Sequence, residues 1–191
     1  MNVMNNEFKT TRNQVITALM AAIAVVLGWT HWGFIPWFGG VSLTIMHVPV
    51  IIAAVIVGPV SGIIVGFMFG IFSMIQAAIA PTGPTDVWFT NPLLAVLPRL
   101  LIGPCAWLVW RAFKRWPTAA LSFAGAVGSL TNTFLVLGMI GLLGYLPWSV
   151  LGVVVVTNGL PEMLASALIT LAVVAAYWHI PIGKRKSADL D

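Results

Sequence analysis

The chain has 191 residues, of which 60% are hydrophobic and only 7% are charged, and its mean hydropathy is +1.01. Soluble domains carry about 25% charged residues, so this composition excludes a soluble catalytic domain. The net charge of +4 does not indicate a nucleic-acid partner, because the basic residues flank apolar runs as they do beside membrane helices.

Six apolar runs predict an all-α membrane protein, with residues 1–191 forming a single transmembrane domain of six helices. A membrane-spanning helix needs roughly 20 predominantly apolar residues. The runs place the helices at about 13–29, 41–57, 61–79, 91–110, 118–143 and 149–178. The first run has no clear cleavage site, so we interpret it as a retained helix and not as a signal peptide.

Glycine and proline mark the connections and one break. Residues 30–40 form a loop rich in Gly, Pro and Trp, and Gly58-Pro59 predicts a tight turn after the second helix. The segment from Asn158 to Pro161 interrupts the sixth helix. A break in a membrane helix is tolerated where it lines a cavity or is buried in protein.

The basic residues predict that both termini are cytoplasmic. With six crossings, eight of the nine Lys and Arg residues fall on one side, and such residues concentrate in cytoplasmic loops. The eight are Lys9, Arg12, Arg111, Lys114, Arg115, Lys184, Arg185 and Lys186. The ninth is Arg99, inside the fourth predicted helix.

Arg99 and Glu162 are the intramembrane charges of this chain. An arginine at the centre of a membrane helix costs about 2.5–3.5 kcal/mol on insertion scales, and such residues face the bundle interior or a cavity. Two interpretations stay open. The two residues form a structural ion pair, or Arg99 binds a carboxylate or phosphate of a ligand.

Two asparagines favour the ligand interpretation. Asn132 lies in the middle of the fifth predicted helix and Asn158 at the break in the sixth. Together with Arg99 and Glu162 they come from three helices at compatible depths, although hydrogen bonds between helices would also explain them. Further candidates for the site are His47, Gln76, Asn91 and Trp37.

The sequence contains no nucleophile–base pair, no metal-ligand spacing and no phosphate-binding loop. We therefore predict no enzymatic activity, no cofactor and no metal site, and ATP hydrolysis would have to come from other subunits. Two stripes of small residues allow close helix contacts. Gly62, Gly66 and Gly70 share one helix face, which packs within the bundle or against a partner, and Ala18 and Ala22 share another.

Several segments together resemble one family. They are Leu43 to Ile52 (LTIMHVPVII), the glycine series from Gly58 to Gly70, Asn91 to Gly103 (NPLLAVLPRLLIG), and Gly128 with Thr131-Asn132-Thr133. This combination, over about residues 13–178, is similar to the substrate-binding S components of energy-coupling factor (ECF) vitamin transporters.

The resemblance implies a six-helix bundle in a bacterial plasma membrane that binds a vitamin with high affinity at its outer face. The loop at 30–40 would fold over the ligand as a lid. The family also implies a transmembrane coupling subunit, contacted through Ala18 and Ala22, and two cytoplasmic ATPase subunits.

The patterns around His47–Pro49 and Pro98–Arg99 look most like the pantothenate-type branch. Arg99 would pair with the carboxylate of pantothenate, and Asn132 and Asn158 with its amide and hydroxyl groups. Cobalamin, folate or a thiamin precursor stay open as ligands. A stand-alone homo-oligomeric channel or small transporter, associating through the glycine stripe, is the second alternative.

Overall fold

The computed structural model describes residues 10–36, 42–81 and 85–180, which are helical apart from one short hairpin. The hairpin pairs strand β1 (Phe34–Pro36) with strand β2 (Ser42–Thr44) in antiparallel register. The α-helices are α1 (Thr11–Trp29), α2 (Val48–Ile56), α3 (Pro59–Ile79), α4 (Pro92–Ala95), α5 (Leu97–Phe113), α6 (Pro117–Leu142), α7 (Trp148–Val154) and α8 (Leu160–Tyr177). A 3₁₀ turn (Asp86–Thr90) precedes α4, and a π-helical turn (Val155–Gly159) joins α7 to α8.

Five segments of the described chain are long and apolar enough to cross a membrane. They are α1, α3, the α4–α5 pair from Pro92 to Phe113, α6, and the segment from Trp148 to Tyr177. The predicted class, a multi-helix membrane protein, is confirmed in these segments. The predicted count of six spanning helices differs from them by one.

The difference lies in the second predicted helix, 41–57. The structure has strand β2 at its start and then only the nine residues of α2, which rise about 13 Å and are too short to span a bilayer alone. Eight of those nine residues are buried. A short helix surrounded by other helices is apolar on every side, and hydropathy alone does not separate it from a spanning helix.

The predicted loop at 30–40 also differs in part, because strand β1 lies within it. Residues 37–40, which include the candidate Trp37, lie outside the described residues. After the hairpin, Pro49 sits in the first turn of α2, where its missing N–H costs nothing. Gly58 ends that helix region with a φ of 136°, a conformation that favours glycine.

The glycine stripe of α3 packs inside the bundle. Gly62 faces Gly103 of α5 so closely that a Cβ added at Gly62 would lie 2.8 Å from the Cα of Gly103. A Cβ added at Gly66 would collide with the backbone oxygen of Arg99. Glycines at this spacing let two helix backbones approach closely. The α5 helix, with Arg99, therefore packs directly against α3.

Helix α1 packs on the outside of this core. Its Thr17 hydroxyl forms a buried 2.6 Å hydrogen bond with Ser61 of α3. Its opposite face is exposed, and Ala18 and Ala22 both lie there. The side of α1 that carries the alanine stripe is therefore not used within the described bundle.

Adding a side chain at a glycine of the α3–α5 contact should destabilise the fold. We expect Gly66→Ala to lower the free energy of unfolding by about 1–3 kcal/mol, because the added methyl group must displace the α5 backbone. Thermal unfolding of the detergent-solubilised protein measures the change. Gly138→Ala in α6 is the matched control, since nothing lies within 4 Å of a Cβ at that position. Equal losses in the two variants would contradict the close contact.

Candidate ligand-binding site

Arg99 is positioned by the proline before it. Pro98 has no N–H, so the carbonyl of Leu94 loses the partner that a regular helix would supply, and the helix is interrupted between α4 and α5. Nη1 of Arg99 donates a hydrogen bond to that Leu94 carbonyl. Because unpaired backbone groups are costly in a membrane, this contact fixes the guanidinium beside the break.

The guanidinium is buried between two aromatic rings. Arg99 is 5% exposed. Its Cζ lies 5.4 Å from the ring centroid of Phe69 and 5.0 Å from that of Phe89, distances typical of cation–π contacts. Its Nε has no hydrogen-bond partner in the described part of the chain. The Nε–H of Arg99 is thus a buried donor that a further acceptor could use.

The break in the last membrane segment has a similar origin. Pro161 cannot donate to the carbonyl four residues earlier, and the chain forms the π-helical turn just before it. Asn158, in this turn, and Glu162, just after it, are both buried. Where the sequence predicted an interruption at 158–161, the structure has a π-helical turn at Val155–Gly159 within a continuous helical segment, and such turns are frequent at functional sites.

Contacts between α6 and the α7–α8 segment bring the polar residues to one level. Gly125 of α6 faces Ser166 of α8, and Thr133 of α6 faces Gly159 of the π-helical turn. The two segments therefore run antiparallel, and Ser129, midway between Gly125 and Thr133, lies at about the level of Glu162. Asn132 lies near the level of the π-helical turn.

Two side-chain oxygens of α6 at this level are buried and unpartnered. Asn132 Oδ1 and Ser129 Oγ have no hydrogen-bond partner among the described residues. Buried polar atoms are nearly always paired with protein, water or ligand. These two oxygens are therefore available to accept hydrogen bonds from water or from a ligand.

His47 lies beside this cluster, just before α2. Its Nε2 forms a 2.7 Å hydrogen bond with Ser166 of α8, and both side chains are fully buried. Its Nδ1 is unpartnered in the described chain. His47 thus joins the site to the helix that carries Glu162.

Arg99 and Glu162 do not form the structural ion pair that one interpretation of the sequence required. Glu162 Oε1 accepts a 2.6 Å hydrogen bond from the backbone N–H of Thr44, and Arg99 donates to Leu94. Within the described ranges no ion pair joins the two residues. Each charge has a neutral protein partner instead.

Two other candidates from the sequence form hydrogen bonds with the protein backbone. Gln76 Nε2 donates to the Gly28 carbonyl at 3.3 Å, which ties α3 to the end of α1. The side chain of Asn91 accepts from the N–H of Leu93 and caps α4. Neither contact involves another candidate residue.

Sequence reasoning missed Ser129, Ser166 and Thr170. Glu162, Ser166 and Thr170 are spaced by four, and this spacing puts them on one buried face of α8. Thr170 Oγ1 is also unpartnered in the described chain. This periodic polar stripe was a signal that could have identified Ser166 and Thr170.

Comparison with known proteins agrees with this architecture. Residues 12–174 match the family model of the ECF transporter, substrate-specific component. The chain belongs to this family.

Two relatives of this S component carry transporter names. The pantothenic acid transporter PanT of Lactococcus lactis subsp. cremoris (strain MG1363) is 32% identical over 181 residues, which cover 85% of this chain and 91% of that protein. The pantothenate transporter PanT of Leuconostoc mesenteroides subsp. mesenteroides (strain ATCC 8293) is 31% identical over 135 residues, covering 64% of this chain and 65% of that protein. With its five apolar segments, the S component is a multi-pass protein of the bacterial plasma membrane.

Removing the partner of His47 should destabilise the S component. Ser166→Ala leaves the buried imidazole without its hydrogen bond, and we expect a loss of about 1–3 kcal/mol in the free energy of unfolding. Thermal unfolding in detergent measures it. Ser122→Ala is the control, because that half-buried hydroxyl donates to the Thr118 carbonyl of its own helix and so joins no second element. An unchanged melting temperature for Ser166→Ala would argue against the His47–Ser166 bond.

Proposed function

We propose that this S component is the high-affinity substrate-binding subunit of an ATP-driven ECF importer for pantothenate. The proposal is carried by the buried guanidinium of Arg99. Among the described residues, its Nε–H has no acceptor, and the oxygens of Asn132 and Ser129 on α6 have no donor. The two PanT relatives support pantothenate over cobalamin, folate or a thiamin precursor.

The chemistry of pantothenate matches these groups. Its carboxylate would take the donors of Arg99, since a guanidinium binds carboxylates in a forked geometry. Its hydroxyl and amide hydrogens would satisfy the acceptors Asn132 Oδ1 and Ser129 Oγ. Asn158 would bind a polar group of the same ligand from the π-helical turn. In this proposal Gln76 and Asn91 serve the fold.

A six-crossing topology with both termini in the cytoplasm belongs to the same proposal. Arg12 Nη2 donates a 2.6 Å hydrogen bond to the hydroxyl of Tyr177, so the start of α1 and the end of α8 lie together. This proximity supports an even number of crossings. The sixth would be formed by β2, the turn before α2 and α2 itself, which follow one another from Ser42 to Ile56.

The proposed partners are a transmembrane coupling subunit and two cytoplasmic ATPase subunits. The exposed face of α1 with Ala18 and Ala22 would contact the coupling subunit, because small residues permit close helix approach. The alternative of a homo-oligomeric channel has lost its proposed association face, since Gly62, Gly66 and Gly70 are buried in the bundle.

Binding tests the substrate and Arg99 together. We expect calorimetric titration with pantothenate to give one tight site. Arg99→Gln should weaken it at least about thirtyfold, because the ligand carboxylate loses its charged partner. Arg111→Gln is the control, an exposed arginine on the same helix. Tighter binding of cobalamin, folate or thiamin would redirect the proposal, and full affinity in a folded Arg99→Gln protein would remove Arg99 from the site.

Transport tests the α1 face. We expect Ala18→Trp to abolish pantothenate uptake by cells while leaving pantothenate binding by the purified protein intact, because the indole blocks close helix contact. Ala172→Trp, at an exposed alanine of α8, is the matched control. Normal uptake in the Ala18→Trp strain would exclude this face as the coupling contact.

A further inference from the structure

A part-buried hydrogen bond joins the hairpin to α8. Oε1 of Glu162 accepts a hydrogen bond from the backbone N–H of Thr44 at 2.6 Å, and Glu162 is 7% exposed. The two residues are 118 positions apart in the sequence. The contact therefore links the end of β2 to the first turn of the helix that lines the site.

Strand pairing explains why the Thr44 N–H is available. The N–H of Ile45 donates to the Gly33 carbonyl, so Ile45 points its N–H toward β1. In an antiparallel ladder the neighbouring residue points its N–H the other way. Thr44, which is opposite Phe34 in the register, thus presents its N–H away from the hairpin and toward Glu162.

Glu162 is placed to accept a strong hydrogen bond from the Thr44 N–H. It follows Pro161 in the first turn of α8, next to the π-helical turn. A carboxylate accepting from a backbone N–H forms a charge-assisted hydrogen bond, stronger than a neutral one. An anionic ligand gains nothing from a nearby carboxylate, so a role in holding the hairpin accounts for this residue better than contact with the ligand carboxylate.

We propose that Glu162 is a positioning residue that fastens the β1–β2 hairpin to α8 and thereby sets how long the ligand stays bound. The part that concerns the ligand rests on the proposed function. The fastening itself concerns only Thr44, Glu162 and the elements that carry them.

Dissociation of radiolabelled pantothenate from the protein in nanodiscs tests the kinetic part. We expect Glu162→Ala to accelerate dissociation about tenfold or more, as loss of a charge-assisted hydrogen bond would. Thr44→Pro removes only the donor and should act similarly, because proline is tolerated where the strand N–H faces away from its partner. The double variant should dissociate no faster than either single variant.

Further variants separate fastening from other roles. Glu162→Gln keeps an acceptor oxygen and should slow dissociation again relative to Glu162→Ala. Leu164→Ala, at an exposed position of the same helix, controls for a general disturbance of α8. Additive effects of Thr44→Pro and Glu162→Ala, or a slow rate in Thr44→Pro alone, would overturn the proposal and assign Glu162 to the ligand.

Amide hydrogen exchange tests the fastening without ligand. In Glu162→Ala, a peptide containing Thr44 should exchange about tenfold faster than in the parent protein, and in Leu164→Ala it should not. Unchanged exchange in Glu162→Ala would overturn the fastening. Failure of the parent protein to bind pantothenate would instead contradict the proposed function, and the exchange experiment would still decide on the contact.

Discussion

The site depends on one constraint, that backbone polar groups inside a membrane must find partners within the protein. Two prolines each remove one N–H donor and so leave a backbone carbonyl without its helical partner. Pro98 frees the Leu94 carbonyl, and Arg99 is held where it satisfies that group. Pro161 follows a π-helical turn, which carries Asn158 and leads into Glu162. The polar groups of the candidate site are thus placed by the repair of two helix interruptions.

Close helix packing holds the segments that carry these breaks inside one bundle. Glycines at the α3–α5 contact bring Arg99 against the core, and Gly125 does the same for α6 against α8. Between them the short α2 is buried, with Ile51 packed on Gly128 of α6. The polar residues are therefore surrounded by apolar side chains. In such a low-dielectric environment an unpartnered polar atom is costly, and a hydrogen bond to it is strong.

Sequence patterns predicted what depends on composition or on single residues. Long apolar runs, the break at Asn158 and the buried charge of Arg99 were recognisable, because each has a local signal. The short α2 was not, since a fully buried helix and a spanning helix have the same hydropathy. The partners of Gln76 and Asn91 could not be predicted from the sequence either. Each side chain can form hydrogen bonds with a ligand or with the protein backbone, and only the folded structure decides between the two.

On the proposed function, the separate partners of Arg99 and Glu162 explain why the site would prefer an anionic ligand. A salt bridge between them would leave no uncompensated charge for a ligand to bind. Instead Glu162 is occupied by an N–H, and Arg99 has a carbonyl and two aromatic rings, which attract its charge without neutralising it. A buried charge without a counter-ion is costly. On the proposed function, the carboxylate of the vitamin supplies that counter-ion, so part of the affinity comes from relief of a cost built into the empty protein.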